Sequence, residues 1–234
     1  MKIRALHFDV FGTVVDWRES IAREAAEILG HDGANCDWHA FADAWRAKYQ
    51  PAMEEIRSGR RPWAKLDDLH LENLDAVLDD FCVPSLGDAD RERLNMAWHR
   101  LDPWPDVIAG MDRLRRKYIL VTLSNGNVSL LVDMAKRAGL PWDAVLGAEV
   151  VRAYKPQPEA YLRNAALLGL EPGECLMVAA HNGDLVAAST LGYRTAFVSR
   201  CTEYGPNQST DLEPTDEFDF IAENFLDLAE NLGC

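Results

Sequence analysis

The sequence predicts an α/β fold: a parallel sheet covered by helices, with a helical segment inserted after the first strand. Three observations predict it. Short, nearly continuous apolar runs recur at residues 3–10, 118–123, 175–180 and 194–198, with a weaker one at 218–222. Amphipathic helical patterns fall between the later runs, at 107–117, 128–138, 158–168 and 184–191. Residues 16–103 carry helical patterning alone. Strands that are apolar on both faces, alternating with amphipathic helices, indicate a parallel sheet buried on both sides.

The first run ends in Phe8-Asp9-Val10-Phe11-Gly12-Thr13, which puts a carboxylate just past a buried strand, where backbone amides are free and a nucleophile can be presented. The segment that follows reads as helices at 19–29, 39–53, 66–81 and 91–99 and holds Trp17, Trp38, Trp45, Trp63 and Trp98, five of the seven tryptophans. An insertion of this kind forms a cap over the strand ends. Its tryptophans belong to the cap's own core, with one or two available to roof a closed apolar site. The expected division is a core of residues 1–15 and 104–234 and a cap of 16–103. The second core strand ends in Thr122-Leu123-Ser124-Asn125-Gly126, which offers a hydroxyl and an amide at the same sheet edge. Tyr154-Lys155-Pro156 then sets a lysine ahead of a helix, and Val178-Ala179-Ala180-His181-Asn182-Gly183-Asp184 closes a further strand and opens another helix. In open α/β sheets the ligand site lies beyond the carboxyl ends of the strands, and these polar clusters sit there.

The chain has 24 Lys plus Arg against 38 Asp plus Glu, a formal net charge of −14 over 234 residues. Such a field repels nucleic-acid backbones and anionic lipid, so neither a nucleic acid nor a membrane is an expected partner. A small anion remains compatible with a locally positive pocket. Arg113, Arg115, Arg116 and Lys117 end a helix, where cations complement its dipole, and read as a solvated face. The five cysteines, Cys36, Cys82, Cys175, Cys201 and Cys234, are odd in number and contain no CxxC pair, which argues for reduced thiols and against a zinc site. The N-terminus lacks the apolar run of a signal peptide, and no stretch approaches the roughly 20 residues that span a bilayer. The expected location is cytoplasmic.

The four clusters around Asp9, Ser124, Lys155 and Asp184, in this order and spacing, resemble the haloacid dehalogenase superfamily of Rossmann-like hydrolases. That resemblance makes Asp9 the nucleophile. Two departures separate phosphatase from dehalogenase chemistry. Phosphatases of the superfamily need an acid two residues after the nucleophile to protonate the departing oxygen, and Phe11 has no proton to give. They also carry two acidic residues four apart in the last motif, and Ala180 stands where the first would be. A halide leaves as an anion and needs no proton. Asp-Val-Phe-Gly-Thr, Leu-Ser-Asn-Gly and Thr202-Glu203-Tyr204-Gly205-Pro206 are similar to the type II (S)-2-haloacid dehalogenase branch.

The resemblance implies a two-step reaction without metal or other cofactor. Asp9 displaces halide from the α-carbon of a short 2-haloalkanoic acid, and water hydrolyses the aspartyl ester. Lys155 keeps Asp9 ionised, and Asp184 orients Lys155 and the water. Ser124 and backbone amides bind the substrate carboxylate, with Phe11 and Asn125 on the halide side. His181 stands where some members have Asn; a structural role, a contact to water and a place in the halide pocket are all open. A cap arginine completes the halide site, chosen from Arg46, Arg57, Arg60 and Arg61, with Arg57 favoured because it follows a helix end. A homodimer is the self-association common among such proteins. A Mg²⁺-dependent phosphatase and a catalytically idle binding module are the alternative readings.

Overall fold

The computed structural model describes residues 2–30, 36–81 and 86–234. The chain begins with β1 (Ala5–Phe8) and β2 (Val15–Asp16), then enters the helices α1 (Trp17–Leu29), α2 (Trp38–Ala47), α3 (Tyr49–Arg57), α4 (Leu66–Asp80) and α5 (Asp88–Asn95). A 3₁₀ turn (Met96–Arg100) leads into β3 (Asp102–Pro103), α6 (Val107–Leu114), β4 (Ile119–Thr122), α7 (Val128–Ala138), α8 (Ala148–Val151) and α9 (Pro158–Leu167). The chain ends with β5 (Cys175–Ala179), α10 (Asn182–Thr190), β6 (Arg194–Val198), β7 (Phe220–Ala222) and α11 (Phe225–Asn231).

The sheet has the order β4-β1-β5-β6-β7, and every pairing in it is parallel. Because side chains alternate across a strand, each strand feeds two cores. Leu6, Phe8, Leu176 and Val178 face Met111, Leu131 and Phe225 on one side of the sheet. Ala5, Cys175, Met177 and Ala179 face Tyr161, Leu185 and Ala188 on the other. That double burial is why these runs lack the polar alternation of a half-exposed strand. β1 is central, so the backbone that ends at Asp9 is fixed from both sides: Asp9 N–H donates to Val178 O at 3.0 Å, and Leu123 N–H donates to Phe8 O at 2.7 Å.

The helical insertion packs onto the first of these cores through Trp17, Phe41, Trp45, Leu69 and Trp98, which are all buried. None of the five tryptophans lines the pocket at the strand ends; Trp45 and Trp98 are in the insertion's aromatic core. Its helices start at side-chain caps where the sequence provides them: Asp16 accepts Glu19 N–H, and Asp37 accepts the N–H groups of His39 and Ala40. Two expected elements differ. The helix expected over 39–53 is two helices meeting at Lys48. Pro51 has no N–H to donate, and its ring crowds the carbonyl of Ala47 one turn earlier, so the helix cannot continue. The insertion also begins and ends in strand, because β2 and β3 pair antiparallel. Two residues each are too short to leave a period in the sequence.

Cys36, Cys175, Cys201 and Cys234 are free thiols, and Cys82 lies outside the described residues. Among the described residues no helix is long and apolar enough to cross a membrane.

Candidate active site

The carboxyl ends of β1, β4 and β5, with the segment between α8 and α9, bring together Asp9, Asn125, Lys155, His181 and Asp184 around a pocket of about 410 Å³. Asp9 is only 7% exposed and is hydrogen-bonded through both oxygens. Its Oδ1 accepts Lys155 Nζ at 2.8 Å. Its Oδ2 accepts the Thr13 hydroxyl at 2.8 Å and His181 Nδ1 at 3.0 Å. Thr13 Oγ1 in turn accepts the Ala180 N–H at 2.9 Å, which locks the turn after β1 to the end of β5. Burial alone would raise the Asp9 carboxyl, but the Lys155 and His181 charges and bonds outweigh it and hold the group well below the usual carboxylate range.

Lys155 also donates to Asp184 Oδ2. Burial would lower the ammonium's pKa, yet Asp184 and Asp9 outweigh that and raise it, so the lysine stays charged between two carboxylates. Asp184 is fixed in turn by the Tyr161 hydroxyl, which donates to Oδ1 at 2.6 Å. Lys155 is placed by its backbone, whose N–H donates to Asn125 Oδ1 at 2.8 Å.

His181 bridges Asp9 to a further carboxylate. Its Nε2 donates to Glu203 at 2.9 Å, and Glu203 Oε1 also accepts Trp17 Nε1–H at 2.9 Å. With a carboxylate on each ring nitrogen, the imidazole is a double donor and carries a proton on both. Burial pulls its pKa down, but Glu203 and Asp9 push it well above the ordinary histidine value. Gly12 makes room for this arrangement. A Cβ there would lie 2.0 Å from Glu203 Oε1, and the backbone has φ +85°.

Three carboxylates (Asp9, Asp184, Glu203) thus face two cations (Lys155, His181), and Arg46 brings a third cation to the pocket wall. The Arg46 guanidinium carbon lies 4.0 Å from the Tyr49 ring centroid, 5.5 Å from Trp17 and 5.8 Å from Phe11. Its buried Nη1 has no hydrogen-bond partner. Arg57 is placed differently. Its Nε donates to Glu54 at 2.9 Å and its Nη1 to the Lys155 carbonyl at 2.9 Å, and it does not line the pocket. Arg60 pairs with Glu55 and Arg61 with Glu72 at the surface. Of the four arginines Arg46 lines the pocket and Arg57 does not: the guanidinium of Arg57, at the end of α3, is tied to Glu54 and the Lys155 carbonyl. Phe11 and Asn125 line the pocket, whereas Ser124 is fully buried behind it. The Ser124 hydroxyl accepts Gly126 N–H at 3.1 Å and keeps its own O–H as a donor.

Mg²⁺ takes hard oxygen ligands and is usually held through one or two carboxylates whose oxygens are free to face it. Here the Lys155 ammonium holds both Asp9 and Asp184, and Ala180 has no side-chain oxygen. Among the described residues no group of three or more His, Cys, Asp or Glu is arranged to hold a metal. The residues do not fit Mg²⁺.

A family model described as haloacid dehalogenase-like hydrolase matches residues 3–192. The chain belongs to that family. Among solved structures, this haloacid dehalogenase-like hydrolase is similar to the defluorinating L-2-haloacid dehalogenase Rha0230, with a TM-score of 0.97, 49% identity, and 99% of this chain and 96% of that one covered. It is also similar to the L-2-haloacid dehalogenase PA0810, with a TM-score of 0.95, 45% identity and 99% of each chain covered. An (S)-2-haloacid dehalogenase of Xanthobacter autotrophicus is 33% identical over 206 residues, covering 86% of this chain and 77% of that protein.

Sequence reasoning assigned no role to Thr13, Tyr161 or Glu203. Thr13 and Glu203 lie inside motifs singled out above, and that proximity was the available signal. Tyr161 sits on a helix face that reads as ordinary core.

Proposed function

We propose that this chain hydrolyses the carbon–halogen bond of short (S)-2-haloalkanoic acids. The observation that carries the reading is a buried Asp9 kept ionised by two cations, with Phe11 where a proton donor to a leaving oxygen would stand. A carboxylate so placed is a nucleophile without a neighbouring acid, which suits a leaving group that departs as an anion.

An Asp9 oxygen attacks the α-carbon, a C–O bond forms, and the halide leaves with the C–X electron pair. Arg46, Asn125 and the Phe11 edge receive it. Backbone amides of the loop that carries Ser124, set from behind by the Ser124 hydroxyl, hold the substrate carboxylate. Esterification removes the Asp9 charge, so His181 loses one of its two anions and releases the Nδ1 proton to solvent. Water then attacks the Asp9 carbonyl carbon, and neutral His181 takes its proton and passes it to the departing alkoxide. The second water proton returns from the new Asp9 carboxyl to His181, which restores the starting state. Residues 16–103 close over the site as a cap on the core of 1–15 and 104–234.

The test is halide release from (S)-2-chloropropionate, chloroacetate and fluoroacetate in excess EDTA, beside p-nitrophenyl phosphate with Mg²⁺. Fluoroacetate is included because of the similarity to a defluorinating relative. The expected result is halide without metal and no metal-stimulated phosphate release. Phosphate release that EDTA stops, with no halide from any substrate, would overturn the reading.

A further inference from the structure

Beside the pocket, a reciprocal pair of hydrogen bonds joins the insertion to the core. Asp67, in the first turn of α4, accepts Asn127 Nδ2–H on its Oδ2 at 2.7 Å, and the Asp67 N–H donates to Asn127 Oδ1 at 3.2 Å. The other Asp67 oxygen accepts His99 Nε2 at 3.1 Å, and His99 Nδ1 reaches Asp133 of α7 at 2.8 Å. Asn127 is 1% exposed and His99 4%, so water does not substitute for these partners. Burial alone would raise the Asp67 carboxyl, but the bonds from His99 and Asn127 outweigh it and keep the group below its ordinary value.

Two features set this bridge apart from general packing. Asn127 occupies the N-cap of α7, where an asparagine side chain ordinarily accepts a helix N–H. It makes no such cap; its side chain goes to Asp67 and to Ser129, and the Val128 N–H is served by Glu149 instead. Asn127 also lies two residues beyond Asn125, whose side chain holds the Lys155 backbone. The bridge thus grips the loop 124–127 from the insertion side.

We propose that Asp67 is a positioning residue: through Asn127 it sets the loop that carries Ser124 and Asn125, so that seating the cap and building the substrate-carboxylate site are one event. This rests on the dehalogenase reading, in which that loop holds the carboxylate. Losing the bridge weakens substrate capture more than the displacement step, because Asp9 is held by Thr13 and the β5 backbone and the Lys155 ammonium by Asp9 and Asp184, even though the Lys155 backbone also touches the loop.

The test uses the full chain and the variants Asp67→Asn, Asn127→Ala and the exchange Asp67→Asn with Asn127→Asp, each with its thermal midpoint measured. Removing one partner of a buried charged hydrogen bond should raise KM for (S)-2-chloropropionate about tenfold in Asp67→Asn and Asn127→Ala, with kcat within about threefold of wild type. The exchange restores a donor facing a carboxylate and should bring KM back to within about threefold. Unchanged KM in both single variants, an exchange no better than either, or a fall in kcat and midpoint with KM unmoved would each overturn the proposal. Asn127→Ala keeps the test decisive if Asp67→Asn does not fold. Wild type that releases no halide overturns the dehalogenase reading and the loop's role with it; wild type that turns over with KM unmoved in the variants overturns the bridge alone.

Discussion

Asp9 has a cation on each side, and the two are built differently. Lys155 sits between Asp9 and Asp184, and its support comes from strand-end motifs and from Tyr161. His181 sits between Asp9 and Glu203, and its support comes from a long loop after β6, from Trp17 in the insertion and from the space left by Gly12. While Asp9 is ionised, both sides do the same work. Once Asp9 is esterified, Lys155 still has Asp184 and an intrinsic pKa near about 10.4, so it keeps its proton. His181 is then left with Glu203, and the proposed second step asks this imidazole to give its Nδ1 proton up and take it back. A fixed charge on one side and a movable proton on the other is the division of labour that the proposed mechanism assigns.

Four experiments break or sharpen this comparison. Asp9→Asn removes what both cations hold and should lower halide release by at least about 10⁴-fold, scored on fresh protein with its mass checked for deamidation. Lys155→Met leaves two buried carboxylates facing each other and should lower kcat/KM about 10³-fold, with no early burst of halide. Glu203→Gln spares the first step: kcat should fall about 10- to 100-fold while a stoichiometric burst of halide remains, and the ester should appear as a mass increment on the protein. If Glu203→Gln lost the burst as Lys155→Met does, the two sides would be equivalent and the assignment of the second step to His181 would fail.

The smallest effect is on stability against pH. His181 has a raised folded pKa, so its contribution is fully present below the unfolded value near about 6.5 and is lost as pH rises through the folded value. The midpoint difference between wild type and His181→Gln should therefore be a few degrees, about 2–6 °C, near pH 6 and should shrink toward alkaline pH. Asp9 runs the other way: its lowered pKa gives stability that is present above about pH 4 and lost only in strong acid. A difference that grew with pH would contradict the ion pairs drawn around His181.

The same contrast explains what was legible in the sequence. The sheet was readable because double burial leaves near-continuous apolar runs, and β6 occupies the residues those runs mark. Asp9, Lys155 and Asp184 were readable as a group because each follows or precedes an element whose end the pattern locates. Glu203 was not, since the loop between β6 and β7 has no period and its carboxylate reaches His181 across 22 residues of sequence. Arg46 could not be separated from Arg57 by pattern: both fall on insertion helices, and only their packing in space sets one against the pocket and the other against Glu54. Asp67 and Asn127 each read as ordinary helix-start residues, and only their meeting in space gives them a shared task.

The antiparallel pairing of Val15 with Pro103 and Asp16 with Asp102 has a consequence for how such a protein is assembled. The chain leaves the core and returns to it at neighbouring residues, so the core meets the whole excursion of residues 17–101 as it would meet a hairpin turn. Closing that loop asks nothing extra of the sheet, since the ribbon already brings its ends together. The core is in this sense a socket with two adjacent terminals. Changes of length within that excursion are taken up between ends that stay paired, while Trp17, Arg46 and Asp67 are the points at which this insert reaches the site itself.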